Sequence, residues 1–413
     1  RPSEVDSKSR PGKKPVELEV AHIWTGVDPK APVFKAVWER FQRDNPGIIL
    51  KINELSKDIT KEDYDIILKK WHESGNLPDI FLANTGDRFT PFVEANQALD
   101  LTSYINQDKL WKGSFIPGTL DYTTYDGKIY GVPNEFFVMP FYYNKAILEK
   151  YGIKTPETWE EFMDALKKIK SGGEYIPIMI TNDEYYLGAR LLEMMVTAAG
   201  GRDLWIDAVK GKGSFNQPII IDGIRKVIEL CEYAPADMNK LNVDDGMIAF
   251  VTGKAAFYVH GTWMIGKMES TVAGPNVNET YDVMPVPYLK SSMKGYVYTG
   301  IVMHWTVSSE IQKEKILIAV KLLKEITSQR TTRDYIEISK GFSCLKIGFY
   351  DVNKVGRQLI NAARLTEMSP PVRVLANFRK SRAAEYFRVG IRDVIDKKLS
   401  AEQYVKELDN LNK

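Results

Sequence analysis

Two rhythms of apolar residues alternate along the first part of the chain. Residues 16–24 switch between apolar and charged positions and then run apolar, which predicts a strand entering a buried sheet. Val33, Phe34, Val37, Trp38 and Phe41 then recur at helical spacing until Asn45, Pro46 and Gly47 stop them. A second apolar run follows at 48–55, a second helical stripe at Tyr64, Ile67, Leu68 and Trp71, and a third strand at 78–84. Strand and helix alternating at these lengths predict a parallel α/β sheet.

The pattern then starts again. Residues 126–152 open on an Asp-Gly turn, run apolar through Ile129, Tyr130 and Val132, meet Pro133, resume with aromatics and turn helical at Asn144. This predicts a strand that leaves one compact unit and enters another, with the crossover at 129–136. Thr158 and Glu161 form a capping-box signature ahead of Trp159, Phe162, Leu166 and Ile169. A buried strand is expected at 176–181, and a helix, a Gly turn, a strand and a Gly-Thr-Trp corner across 244–268. Two further strands, at 281–287 and 296–308, read as returning to the first sheet or to the hinge. Ile316, Ala319, Val320 and Leu323 mark a core-facing helix, and the chain beyond 370 is mostly helical.

Open α/β sheets place ligand-binding loops at the carboxyl ends of their strands. In the first unit those ends carry Trp24 and Thr25, and Asn84, Asp87 and Arg88. Asp87 also suits a helix N-cap. In the second unit the corresponding turn is Asn182, Asp183, Glu184, Tyr185 and Tyr186, and Trp263 stands at the corner. Glu135 and Phe136 lie beside the crossover, as floor of a cleft or as hinge packing, and Tyr298 adds another ring.

Composition narrows the chemistry. The chain has 413 residues, too many for one ordinary core and suited to two domains. Its 56 basic and 54 acidic residues give a net charge of +2, which argues against a nucleic-acid or membrane-surface partner. Residues 1–15, polar and Pro-bearing without apolar period, read as a disordered tether, and an Arg at position 1 implies a removed leader or added segment. Cys231 and Cys344 fit no zinc or CxxC spacing; Cys231 shares a helical face with Ile224, Val227 and Ile228 and reads as a buried thiol. His22, His72, His260 and His304 are scattered, and neither a P-loop nor a GxSxG motif is present, so no metal or cofactor is called for. Aromatic content is 11%, with 21 Tyr and 8 Trp. A pyranose presents a C–H face to an aromatic plane and a rim of hydroxyls to carboxylate, amide and guanidinium groups, and the strand ends offer both kinds.

Several segments carry a family likeness: RFQRDNPGI, LPDIFLANTGDRFTPFVEANQALDL, DGKIYGVP with YYNKAILEKYGIKTPETWEEF, MIAFVTGKAAFYVHGTW and KKLSAEQYVKELDNL. On these the sequence resembles the extracellular solute-binding proteins of bacterial ABC importers, within the carbohydrate-binding family that includes the maltodextrin-binding proteins. The resemblance implies a two-lobed α/β fold of the type II periplasmic-binding kind, each lobe a sheet flanked by helices. It implies a first lobe of 16–128 plus about 281–328, and a second of about 137–275 plus 329–413. It further implies an oligosaccharide held between the lobes by Asp87 with Arg88, Tyr185 with Tyr186, and Trp263, then delivered to the permease subunits by a monomer. The location implied is the periplasm or, through a lipid anchor, the outer face of the membrane. The loop after the first strand keeps Asp28 but not the spacing of maltodextrin binders, so the sugar stays open. Two other readings stay open as well: a glycoside-processing enzyme, which would need two carboxylates flanking the bond, and a binder of a peptide or polyamine on the same fold.

Overall fold

The computed structural model describes residues 14–55, 61–183, 187–271, 280–369 and 376–413. Two four-stranded sheets, each flanked by helices, form two lobes. In the first, the strands run in the order Met303–Val307, Ile80–Asn84, Val16–His22 and Ile48–Glu54. The last three are parallel, as the βαβ rhythm predicts, and Met303–Val307 is antiparallel to Ile80–Asn84. The helix Ala31–Asp44 covers this sheet with Val33, Phe34, Val37, Trp38 and Phe41, all buried. Pro32 sits in its first turn, where a missing N–H costs nothing.

The second sheet has the order Tyr281–Met284, Phe141–Asn144, Ala255–Val259 and Ile176–Met179. Tyr281–Met284 therefore does not return to the first unit, as its sequence led us to expect. It pairs antiparallel with Phe141–Asn144, and Tyr281 is buried among Tyr142, Phe250 and Tyr258. The expected strand at 296–308 also divides. Tyr298–Gly300 pairs with Glu135–Met139, whereas Met303–Val307 joins the first sheet. Gly300 is the reason the first of these packs closely: a Cβ there would lie 2.8 Å from the Phe137 ring.

A small sheet of Tyr298–Gly300, Glu135–Met139 and Phe342–Ser343 lies between the two large ones. The crossover passes through it. Val132 still bridges to Trp305 at the edge of the first sheet, and Phe141 already belongs to the second. The chain crosses this region three times, and the helix Gln329–Ser339 buries Tyr335 in the first core, so part of 329–345 packs with the first unit and not the second.

Local signals in the second unit are realised as read. The Thr158 hydroxyl accepts from the Glu161 amide at 3.1 Å while the Glu161 carboxylate accepts from the Thr158 amide, and the helix Trp159–Gly172 ends at Gly173 with φ of 69°. Ser400 and Gln403 make a second capping box for the helix Ala401–Leu411. The helix after residue 217 runs Pro218–Cys231 and begins on a proline. Neither Cys231 nor Cys344 is in a disulfide; Cys231 is half-buried, and its thiol is pushed up to about 12 by burial. Among the described residues no helix is long and apolar enough to cross a membrane.

Candidate functional site

The loops that follow Ile80–Asn84 and Val16–His22 face the helix Leu187–Ala198, the Gly-Thr-Trp corner and Tyr298–Gly300 across a cleft. The cleft has two adjoining hollows that share Trp263 and Val302. Their cavities are small, about 50 Å³ for the first and about 90 Å³ for the second.

Trp263 owes its place to Gly261. The corner between Ala255–Val259 and Met264–Thr271 turns so tightly that the indole folds back over Gly261, where a Cβ would lie 1.9 Å from the ring. Phe137 and His260 meet the same indole edge-on at 5.0 and 5.2 Å and fix its plane. The ring lines both hollows.

The first hollow is polar on one side and aromatic on the other. Asn84 and Arg88 line it from the first unit, and both bond to the Asp65 carboxylate behind them. Tyr122 and Tyr298 supply rings, and Asn377 and Arg190 supply donors. Arg190 and Glu193 stand three residues apart on a helix whose other side chains are mostly apolar, and Glu193 accepts from Arg190 at 2.6 Å and from the Tyr298 hydroxyl at 2.6 Å. Burial raises the Glu193 carboxyl above its usual range, against the pull of Arg190 and Tyr298. Burial likewise pushes the Tyr298 phenol well up, so it stays a donor.

The second hollow is lined by Trp24, Asp28, Lys30, Glu135, Lys267 and Met264, among others. Trp24 is 3% exposed and packs on Phe34 at 4.8 Å and edge-on to Trp305, so it is chiefly a core residue with an edge at the cleft. Lys30 lies over that indole at 5.5 Å and pairs with Glu135 at 3.7 Å. Burial pulls the Lys30 ammonium down, but Glu135 and Asp28 outweigh it and hold it above the ordinary lysine range.

Not every expected site residue reaches the cleft. Thr25 donates its hydroxyl to the Leu55 carbonyl at 3.0 Å and shapes the loop. Phe136 packs on Phe342 beside the crossover. Asn182 is buried, donating to Asn239 and accepting from the Gly188 amide, both at 2.9 Å, and so caps the helix start. Asp87 is 1% exposed and lines neither hollow; Arg190 and Arg388 take its two oxygens. A buried carboxylate cannot stay charged without such partners. Glu184, Tyr185 and Tyr186 lie outside the described residues.

Arg190, Tyr122 and Asn377 were not foreseen. A charged pair, Arg190 and Glu193, inside an apolar helix was a signal available in the sequence, since lone charges rarely enter such helices. Tyr122 and Asn377 carried none.

The model of the bacterial extracellular solute-binding protein family matches residues 28–331. An uncharacterised ABC transporter extracellular-binding protein of Pyrococcus horikoshii is 27% identical over 282 residues, 67% of this chain and 62% of the relative. The multiple sugar-binding protein of Streptococcus mutans is 26% identical over 257 residues, covering 56% of this chain and 54% of the relative. The chain thus spans about three fifths or less of the length of these curated relatives. In fold it is similar to a solved chitin oligosaccharide binding protein, with a TM-score of 0.80, 20% identity and coverage of 96% and 98% of the two chains. Two lobes around an aromatic cleft, a family match over most of the length and like-folded relatives converge on one conclusion: this chain belongs to the bacterial extracellular solute-binding proteins.

Proposed function

We propose that the chain is the extracellular binding protein of an ABC importer, capturing an oligosaccharide between its lobes by hinge closure and delivering it to the membrane permease. The carrying observation is Trp263, set at the junction of both hollows with its plane fixed by Phe137 and His260. A ring so placed stacks on a sugar while Asn84, Arg190 and Asn377 meet hydroxyls on one side and Lys30 and Glu135 on the other. Two adjoining hollows suit a ligand of more than one sugar unit.

The first lobe is read as about 16–131 with about 301–345, and the second as the rest, joined by three crossings near 132–140, 298–302 and 341–345. Asp87, Glu193 and Asp65 are all occupied by cationic or donor partners, which supports binding over hydrolysis. The protein is read as acting as a monomer at the extracellular face of the cell membrane or in the periplasm.

Titration with pooled plant, host and microbial oligosaccharides, following tryptophan emission and melting temperature together, tests this. A saturable change in both without loss of sugar supports it. No response to any pool, or consumption of the sugar, overturns it.

A further inference from the structure

At the first hollow the two walls hold each other directly. Asp87 comes from the loop after Ile80–Asn84, and its partners come from helices of the other core: Arg190 on Leu187–Ala198 at Oδ1, and Arg388 on Ser381–Ile395 at Oδ2, 2.8 Å away. Further hydrogen bonds run alongside, one of them to a carboxylate. The Thr90 hydroxyl donates to the Phe378 carbonyl at 3.1 Å, the Ser381 amide donates to Glu94 at 3.0 Å, and the Asn377 amide donates to the Thr124 carbonyl at 2.9 Å. Arg190 alone of the ionic group faces the hollow, held from the side by Glu193.

We infer that Asp87 is a closure latch, clasping Arg190 and Arg388 across the cleft and thereby fixing Arg190 against the bound ligand. The inference rests on the reading of this cleft as a ligand site that opens and closes. Asp87 is then a positioning residue, acting through Arg190, and not a ligand acceptor.

The balance of forces makes the latch soft. Opening returns one carboxylate and two guanidiniums to water, and their hydration offsets much of the attraction lost. The pairs therefore shift the open and closed populations without freezing them, and they favour one closed register, because both guanidiniums must reach the same carboxylate at once, Arg190 by a hydrogen bond and Arg388 by charge alone. A closed, empty cleft cannot admit ligand, so the association rate follows the open fraction. Once ligand is inside, the same contacts slow its escape. A latch thus lowers both rate constants, whereas a carboxylate that only accepted from a sugar hydroxyl would lower dissociation alone.

The test compares D87N, R388Q and R388K with the parent protein. Arg388 lines neither hollow, so its loss removes no ligand contact. Small-angle scattering without ligand should show a larger radius of gyration for D87N and R388Q, with R388K closer to the parent. Stopped-flow tryptophan emission with maltotriose, xylotriose and chitotriose should show association faster by roughly threefold to tenfold and dissociation faster by roughly tenfold to a hundredfold. Melting curves identify a variant that fails to fold, and R388Q stands in for D87N in that case. Unchanged scattering in both variants overturns the latch, as does a rise in dissociation confined to D87N. If none of the three sugars binds the parent protein, the reading as a binder of those sugars fails while scattering still decides the latch.

Discussion

The Trp263 indole lies so close over Gly261 that a single added methyl carbon would sit 1.9 Å from the ring. One glycine thereby sets the orientation of the residue that joins both hollows. Substitution G261A should swing the indole, destabilise the protein by about 1–3 kcal/mol as overpacking does, and weaken ligand binding roughly tenfold. Unchanged tryptophan emission and affinity in G261A would show that the ring has room the geometry denies it.

Trp24 and Trp263 read alike in the sequence, each following a strand, yet their environments differ. Trp24 packs among Phe34 and Trp305, so W24A should cost stability of about 3–5 kcal/mol. W263A removes a half-buried ring at the centre of the cleft and should cost about 2 kcal/mol or more in affinity with a smaller loss of stability. Calorimetric binding and urea unfolding of the two variants separate the roles. Equal stability losses would reject the distinction.

Acid should destabilise the fold through two buried imidazoles. Burial lowers His22 to about 4, with Asp28 opposing, and lowers His304 to about 3. Both folded-state values lie below the ordinary 6.5, so the unfolded chain binds more protons throughout that window. Stability is then full above about pH 6.5 and falls as the pH drops, by about 1.4 kcal/mol per unit for each histidine, or about 4 kcal/mol for both at pH 5. Urea unfolding at pH 7.5 and pH 5 measures this. The H22Q/H304Q double variant should lose most of that slope, and a slope equal to the parent's would remove the histidines as its cause.

The thiols should be silent in the native state. Cys231 is pushed up to about 12 by burial and Cys344 is fully buried, so neither offers thiolate near neutral pH. Reductant should leave the melting temperature unchanged, and thiol-reactive dyes should label the protein only after unfolding. Rapid labelling of the native protein at pH 8 would contradict the raised Cys231 thiol and the burial of Cys344.

Local chemistry was legible where it acts over a few residues. The stripe in Ala31–Asp44, the Thr158 and Glu161 capping box, and the Gly-Thr-Trp corner each follow from spacing of 3.6 or 2, from a side chain reaching an amide three residues on, or from a glycine that admits a ring. Those signals determined two α/β units, a crossover near 132 and the candidacy of Trp263. What tertiary structure alone decided is which polar group ends up facing which. Asp87 and Arg190 are separated by 103 residues, and no periodicity records that they meet. Whether a carboxylate after a strand turns to a ligand or to a guanidinium from the opposite wall depends on desolvation in the assembled cleft. The same holds for residues 281–284, whose apolar run fits either sheet until burial against Tyr142 and Tyr258 selects the second. Sequence sets which faces are buried, because burial follows local spacing; packing sets their partners, because pairing across the chain depends on the whole core.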